Sequence, residues 1–153
     1  TGLPTGKAPL SEGFAVFREF LQIKPDLHVA GQVRNGTTKG IDENALAAYN
    51  APFPSEDHKQ GVRQFPNLVP GTPRTPSAEP NKEAWKILRE WNKPFLCAFS
   101  DKDPIFAGVE NSFYKLVPGC EGMPHVTIKD AGHFLQEDQP DACVEAILSI
   151  KDI

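Results

Sequence analysis

Only two stretches of this chain read as strands, and both lie in its second half. "PFLCAF" (94–99) is a nearly unbroken apolar run followed by turn residues, the pattern of a strand buried on both faces. "HVTI" (125–128) is a second, shorter β-branched run. The segments around them read as helices. "NKEAWKILREW" puts Ala84, Ile87, Leu88 and Trp91 on one face, with Asn81 as its cap. "GVENSFYKLV" is a helix between the strands, and "QPDACVEAILSI" is a closing helix with Pro140 near its first turn. Helix–strand–helix–strand–helix implies parallel strands with right-handed crossovers. Two parallel strands cannot stand as a sheet alone, because both faces and a long apolar edge need cover.

The first half supplies helices, not strands. "SEGFAVFREFL" has Ser11 as N-cap and Phe14, Phe17 and Leu21 on one face. "DENALAAY" is a short helix capped by Asp42, and "APFPSEDHKQGVRQFP" is a third, starting near Ser55 and stopped by Pro66. Most of the fifteen prolines precede residue 81, with a dense cluster in "VPGTPRTPSAEP" (69–80). The expected organisation is therefore a helical segment over 1–80 and an α/β segment over 81–153. Lacking strands for the rest of a sheet, the chain reads as the C-terminal part of a larger α/β protein. The opening "TGLPTGKAPL", without a Met, has the look of an interrupted loop.

Composition narrows the function classes. With 153 residues, 39% of them hydrophobic, the chain is long enough for one domain. Its net charge of −4 is not clustered, so a nucleic-acid footprint is missing. No apolar run approaches the ~20 residues of a membrane helix, and the N-terminus is not a signal peptide. Cys97, Cys120 and Cys143 lack metal-ligand spacing, so three reduced thiols, no metal and a cytoplasmic location are expected.

The chemistry-bearing residues follow the strands. "SDKDP" comes after the first and "DAGHFLQED" (130–138) after the second. Open α/β sheets place their sites at the carboxyl ends of strands. If the two strands are adjacent, an Asp and His133 meet there. A carboxylate bonded to an imidazole fixes its tautomer and stabilises the imidazolium, as the acid of a nucleophile–base–acid triad does. In α/β-hydrolases the chain order is nucleophile, acid, histidine, so this chain would hold the last two. Three carboxylates compete for the role. Asp103 precedes Pro104 and sits one turn beyond the strand; Asp101 also suits solvating the turn; Asp130 is nearest in sequence but suits a turn former. Taken alone, the pattern equally describes ordinary turn residues. His28, His58 and His125 have no acidic partner in view and read as surface residues. Glu137 and Asp138 read as favourable charge at a helix N-terminus, and Trp85 and Trp91 as packing residues on one helix.

Taken together, "PFLCAFSDKDPI", "DAGHFLQED" and "AYNAPFPSEDHKQGVRQFP" resemble the haloalkane dehalogenases of the α/β-hydrolase superfamily over essentially the whole chain. "AGHF" alone would mean only an α/β-hydrolase; "APFP…GVRQFP" is more specific. The resemblance implies an α/β fold, the C-terminal part of an α/β-hydrolase preceded by a helical cap, with "TGLPTG" leading from core to cap. It assigns Asp103 as triad acid and His133 as general base. Phe14, Phe17, Phe65, Pro66 and Val69, with Ile105, would line an apolar substrate cavity. Some members carry a tryptophan at the position of Phe17, whose indole N–H holds the departing halide; here only a ring edge is offered. The implied partners are a small halogenated aliphatic substrate, halide and water, with no cofactor, no nucleic acid and no membrane. The nucleophile would lie in a missing N-terminal half. An epoxide hydrolase would need a pair of cap tyrosines, and of Tyr49 and Tyr114 only Tyr49 lies in the cap segment. A serine esterase, or a hydrolase-like protein that only binds, would differ in the upstream nucleophile.

Overall fold

The computed structural model describes residues 4–150, so the first three residues of "TGLPTG" and the last three of the chain lie outside the described residues. The helices are α1 (Glu12–Ile23), α2 (Val29–Asn35), α3 (Glu43–Asn50), α4 (Gln60–Gln64), α5 (Ala78–Leu88), α6 (Glu110–Leu116), α7 (Leu135–Asp138) and α8 (Pro140–Ser149). The strands are β1 (Ala98–Ser100) and β2 (Val126–Ile128). The chain forms two compact units. One comprises the described residues up to 32 with 42–85; the other comprises 33–41 with those from 86 onward. The stretch 33–41, which the sequence pattern leaves in the first segment, thus groups with the second unit.

In the helical unit the expected caps form. Ser11 Oγ accepts from the Phe14 N–H at 3.3 Å, and Asp42 Oδ1 from the Ala45 N–H at 2.8 Å. These side chains satisfy amides that a helix start leaves without partners. Leu21, Leu27 and Val29 form the core, with Phe17, Phe20, Phe53 and Val62 packed against them. Full burial of each such aliphatic side chain contributes about 1.5–3 kcal/mol. Arg63 ties this unit together by donating to the carbonyls of Leu21 and Pro25 and to the Glu56 carboxylate.

Three local expectations need correction here. The segment from Ser55 is not one helix stopped at Pro66. It is a 3-10 turn (Glu56–Lys59), then α4, then a second 3-10 turn (Phe65–Leu68) that runs through Pro66. Proline is tolerated in a first turn, where its missing N–H has no intrahelical partner to lose. For the same reason α5 starts at Ala78 and takes Pro80 into its first turn, so Asn81 is not its cap. The Asn81 amide donates instead to the Pro4 carbonyl at 2.7 Å. α2 is absent from the sequence reading altogether: it has seven residues and contains Gly31. The Ala30 N–H in its first turn is satisfied by Asn50 Oδ1, twenty residues away.

In the second unit β1 and β2 pair in parallel, with Ala98 opposite Val126 and Ser100 opposite Ile128. β1 is shorter than "PFLCAF" suggests and only half-buried, because β2 is its sole neighbour among the described residues. Ile128, Ala131 and Ala146 form the core, joined by Leu96, Ala98, Val126, Leu135 and Ala142. α8 turns its alanines to this core and leaves Val144, Ile147 and Leu148 exposed. Gly119 sits so close to Lys93 that an added Cβ would lie 2.0 Å from the Lys93 carbonyl oxygen. The Gly119 N–H donates to the Trp91 carbonyl at 2.7 Å, and its own carbonyl accepts from Phe95 at 2.9 Å. Trp91 lies beyond the end of α5 and is exposed, so it is not a helix packing residue as expected. Among the described residues no helix is long and apolar enough to cross a membrane.

Candidate active site

Parallel pairing brings the loops after β1 and β2 to the same end of the strands. Backbone bonds then lock one loop to the other: Asp101 N–H to the Ile128 carbonyl at 3.1 Å, and Lys102 N–H to the Ala131 carbonyl at 3.0 Å. Between these loops His133 Nδ1 lies 3.0 Å from Asp103 Oδ2. Asp103 is 7% exposed and fixed from behind, its Oδ1 accepting the Ile105 N–H at 2.8 Å. A carboxylate only accepts, so Nδ1 carries the proton of this contact, and in the neutral ring Nε2 is the nitrogen with the lone pair. The ring is held by aromatic neighbours, Phe106 at 5.3 Å and Phe134 edge-on at 5.1 Å.

The three acidic candidates have separate partners. Asp101 is exposed and accepts the Ala131 N–H at 3.3 Å. Asp130 adopts a left-handed backbone at φ 55° and pairs with Lys102 at 2.6 Å. The Lys102 ammonium holds the Asp130 carboxyl below its ordinary range, and Asp130 raises Lys102 in turn. Only Asp103 faces the imidazole.

Phe14 and Phe17 are half-buried on α1, their rings 6.4 Å apart and tilted, and Phe17 packs against the Leu21 cluster. Pro66 and Val69 are half-buried, whereas Phe65 is 73% exposed. In the second unit Ile105 is 46% exposed, immediately after the acid loop's proline.

Two residues depart from their sequence reading. His125 is not a surface residue. Half-buried, it accepts the Cys97 N–H at Nδ1 (3.1 Å), and its Nε2 donates to the Cys120 carbonyl at 3.0 Å, with the Tyr114 ring tilted against it at 4.4 Å. It staples the approach to β1 to the turn before β2. Asp138 lies in the first turn of α7, as expected of favourable charge at a helix N-terminus, but it is buried and does more. It ends α7, is 3% exposed, and accepts the amides of Gly132, Thr38 and Lys39. No local pattern announces either role, since the bonds go to main-chain atoms, some of them in segments remote in sequence. All three thiols are free, and burial pushes Cys97 up to about 12, which makes it a packing group at neutral pH. Among the described residues no cluster of three or more His, Cys, Asp or Glu could hold a metal ion.

No family model matches the chain. A haloalkane dehalogenase of Psychrobacter cryohalolentis is 46% identical over 148 residues, covering 97% of this chain and 49% of that protein. One from Mycolicibacterium paratuberculosis is 38% identical, covering 96% of this chain and 48% of the relative. Among solved structures, the tetrameric haloalkane dehalogenase DpaA of Paraglaciecola agarilytica superposes with a TM-score of 0.86 at 26% identity, over 100% of this chain and 51% of that one. The dehalogenase DatA of Agrobacterium tumefaciens, at 16% identity and TM-score 0.72, shares the fold over 94% of this chain and 53% of its own. The chain is therefore similar to haloalkane dehalogenases over nearly its whole length, carries part of an α/β-hydrolase fold, and spans about half the length of the curated relatives it matches.

Proposed function

We propose that this chain is the C-terminal half of a haloalkane dehalogenase, with the 1–80 segment as its cap and 81–153 completing the hydrolase core. Asp103 is the triad acid and His133 the base. The reading is carried by the 3.0 Å contact between His133 Nδ1 and the buried Asp103 carboxylate at the carboxyl ends of paired parallel strands. A carboxylate from outside the chain attacks the halogen-bearing carbon. The C–O bond forms, the carbon–halogen bond breaks, and halide leaves with the bonding pair. Halide is a weak base and needs no proton, only donors. His133 Nε2 then removes a proton from water, which attacks the ester carbonyl; the alcohol departs with that proton, and the carboxyl left behind gives water's second proton to solvent as the carboxylate is restored. The substrate is a small halogenated aliphatic, no cofactor takes part, and the protein acts in the cytoplasm.

The exposed Val144, Ile147 and Leu148 and the half-buried β1 support the view that further core packs on this unit. The full-length protein is expected to release halide from 1-bromobutane or 1,2-dibromoethane. Residues 1–153 alone should release none above a buffer blank, and halide release by the short chain would overturn the assignment of the nucleophile to another segment.

We assign Phe14, Phe17, Phe65, Pro66, Val69 and Ile105 to the substrate lining. Phe17 offers only a weakly positive ring edge where an indole N–H would be a donor. A hydrogen bond to a charged group contributes roughly 1.5–3 kcal/mol. Phe17→Trp in the full-length protein is therefore expected to tighten bromide binding about ten-fold or more, read by quenching of tryptophan fluorescence. Unchanged affinity with the fold intact would leave Phe17 as packing on the Leu21 cluster alone.

A further inference from the structure

We propose that Asp138 is a positioning residue for the general base, its buried carboxylate setting where His133 sits by clamping the backbone before it to the 36–39 segment. This rests on the dehalogenase reading of His133. Asp138 Oδ2 accepts the Gly132 N–H at 2.8 Å and the Thr38 N–H at 2.9 Å, while Oδ1 accepts Thr38 at 3.0 Å and Lys39 at 3.0 Å. The Lys39 ammonium does not pair with this carboxylate; it donates to the Asp138 carbonyl at 2.8 Å. A 3% exposed carboxylate is thus held by the backbone amides of Gly132, Thr38 and Lys39. Buried charge is costly unless it is hydrogen-bonded, and charge-assisted bonds to amides are short, directional and stronger than neutral ones. Burial by itself would raise this carboxyl, but the Gly132, Thr38 and Lys39 amides outweigh it and hold it below its ordinary range.

The clamp grips both sides of the histidine. Gly132 is the residue before it. The residue after it, Phe134, donates its N–H to the Gly36 carbonyl at 3.1 Å, so 132 and 134 are both fastened to 36–39. Thr38 Oγ1 adds a bond to the Asp130 carbonyl at 2.9 Å. The approach is too close for a side chain at 132, where an added Cβ would lie 2.5 Å from the Gly36 carbonyl oxygen. Asp103 orients the imidazole through Nδ1, but the height of the Cα that carries it is set by this second, independent carboxylate. Asparagine at 138 keeps one acceptor oxygen and sets an NH2 group against amides that themselves donate. Either Gly132 or Lys39 is then released, while Thr38 keeps an acceptor in both orientations.

Only the second chemical step uses His133, so the test separates positioning from folding. The full-length protein is mixed with 1-bromobutane, quenched and read by intact-protein mass spectrometry alongside steady-state turnover. Asp138→Asn is expected to accumulate the alkyl-enzyme and to slow turnover about ten- to a hundred-fold, the scale of a misplacement near 1 Å. Turnover that falls only with the folded fraction, with no alkyl-enzyme, would overturn the proposal. If Asp138→Asn does not fold, Asp138→Glu keeps the charge but shifts the oxygens by a methylene. It should show the same accumulation, and its absence overturns the proposal equally. His133→Gln is the reference: if that variant accumulates no alkyl-enzyme, the dehalogenase reading fails rather than the role of Asp138.

Discussion

His133→Gln in the full-length protein is expected to stop the reaction after one displacement, releasing about one equivalent of halide per enzyme and lowering steady-state turnover roughly 10²–10⁴-fold. The first step needs an aligned carboxylate and donors for the halide, neither of which is the imidazole. The second step needs a base for water, and Gln has none. Its amide is close to the imidazole in size, so the site keeps its shape while losing the lone pair at Nε2. The ring is already set for that loss to be specific: Phe106 and Phe134 pack on it and Asp103 occupies Nδ1. Intact-protein mass spectrometry after adding 1-bromobutane should show the protein heavier by one butyl group. A variant that turns over at the wild-type rate, or one that releases no halide at all, would place His133 outside the hydrolytic step.

How far such a site can be seen in the sequence depends on the range of the interactions that build it. β1 and β2 were visible as short apolar runs, and the helix between them required parallel pairing, which the register Ala98–Val126 displays. From there the meeting of the two following loops is a consequence of topology. Which carboxylate faces the imidazole was not: Asp101, Asp103 and Asp130 all lie in those loops, and the choice turns on backbone amides and the Lys102 ammonium, partners that only folding supplies. The clamp made by Asp138 is hidden for a related reason. Beside Glu137 this residue looks like ordinary helix-end charge, yet its partners Thr38 and Lys39 are 100 and 99 residues away. The segment they belong to carries no strand or helix periodicity. His125 escaped notice because both of its bonds go to main-chain atoms, which leave no trace in side-chain pattern. Proline misleads in the opposite direction: Pro66 looks like a stop and Pro80 like the end of the helical segment, but both fit first turns of the elements that contain them.

Asp103→Asn should be nearly as damaging as loss of the base, because it blocks the imidazole rather than merely loosening it. The Ile105 N–H donates to Oδ1 of this residue, so the carbonyl oxygen of an introduced amide is drawn to that side. Its NH2 group then faces Nδ1. Two donors cannot share that 3.0 Å contact, so the ring shifts its proton to Nε2 and presents N–H where a lone pair is needed. The wrong tautomer in a Ser–His–Asp triad costs about 10⁴ in rate, and a loss of roughly 10²–10⁴ is expected here, with alkyl-enzyme accumulating as for His133→Gln. Asp101→Asn provides the contrast. That side chain is exposed and supplies one acceptor to the Ala131 N–H, which an amide oxygen can also supply. Its turnover should stay within a few-fold of wild type by the modest net value of a neutral hydrogen bond, ~0.5–1.5 kcal/mol. If Asp101→Asn proves the more damaging change, the acid role belongs to Asp101, and the Asp103 contact with His133 is a structural bond that the chemistry does not use.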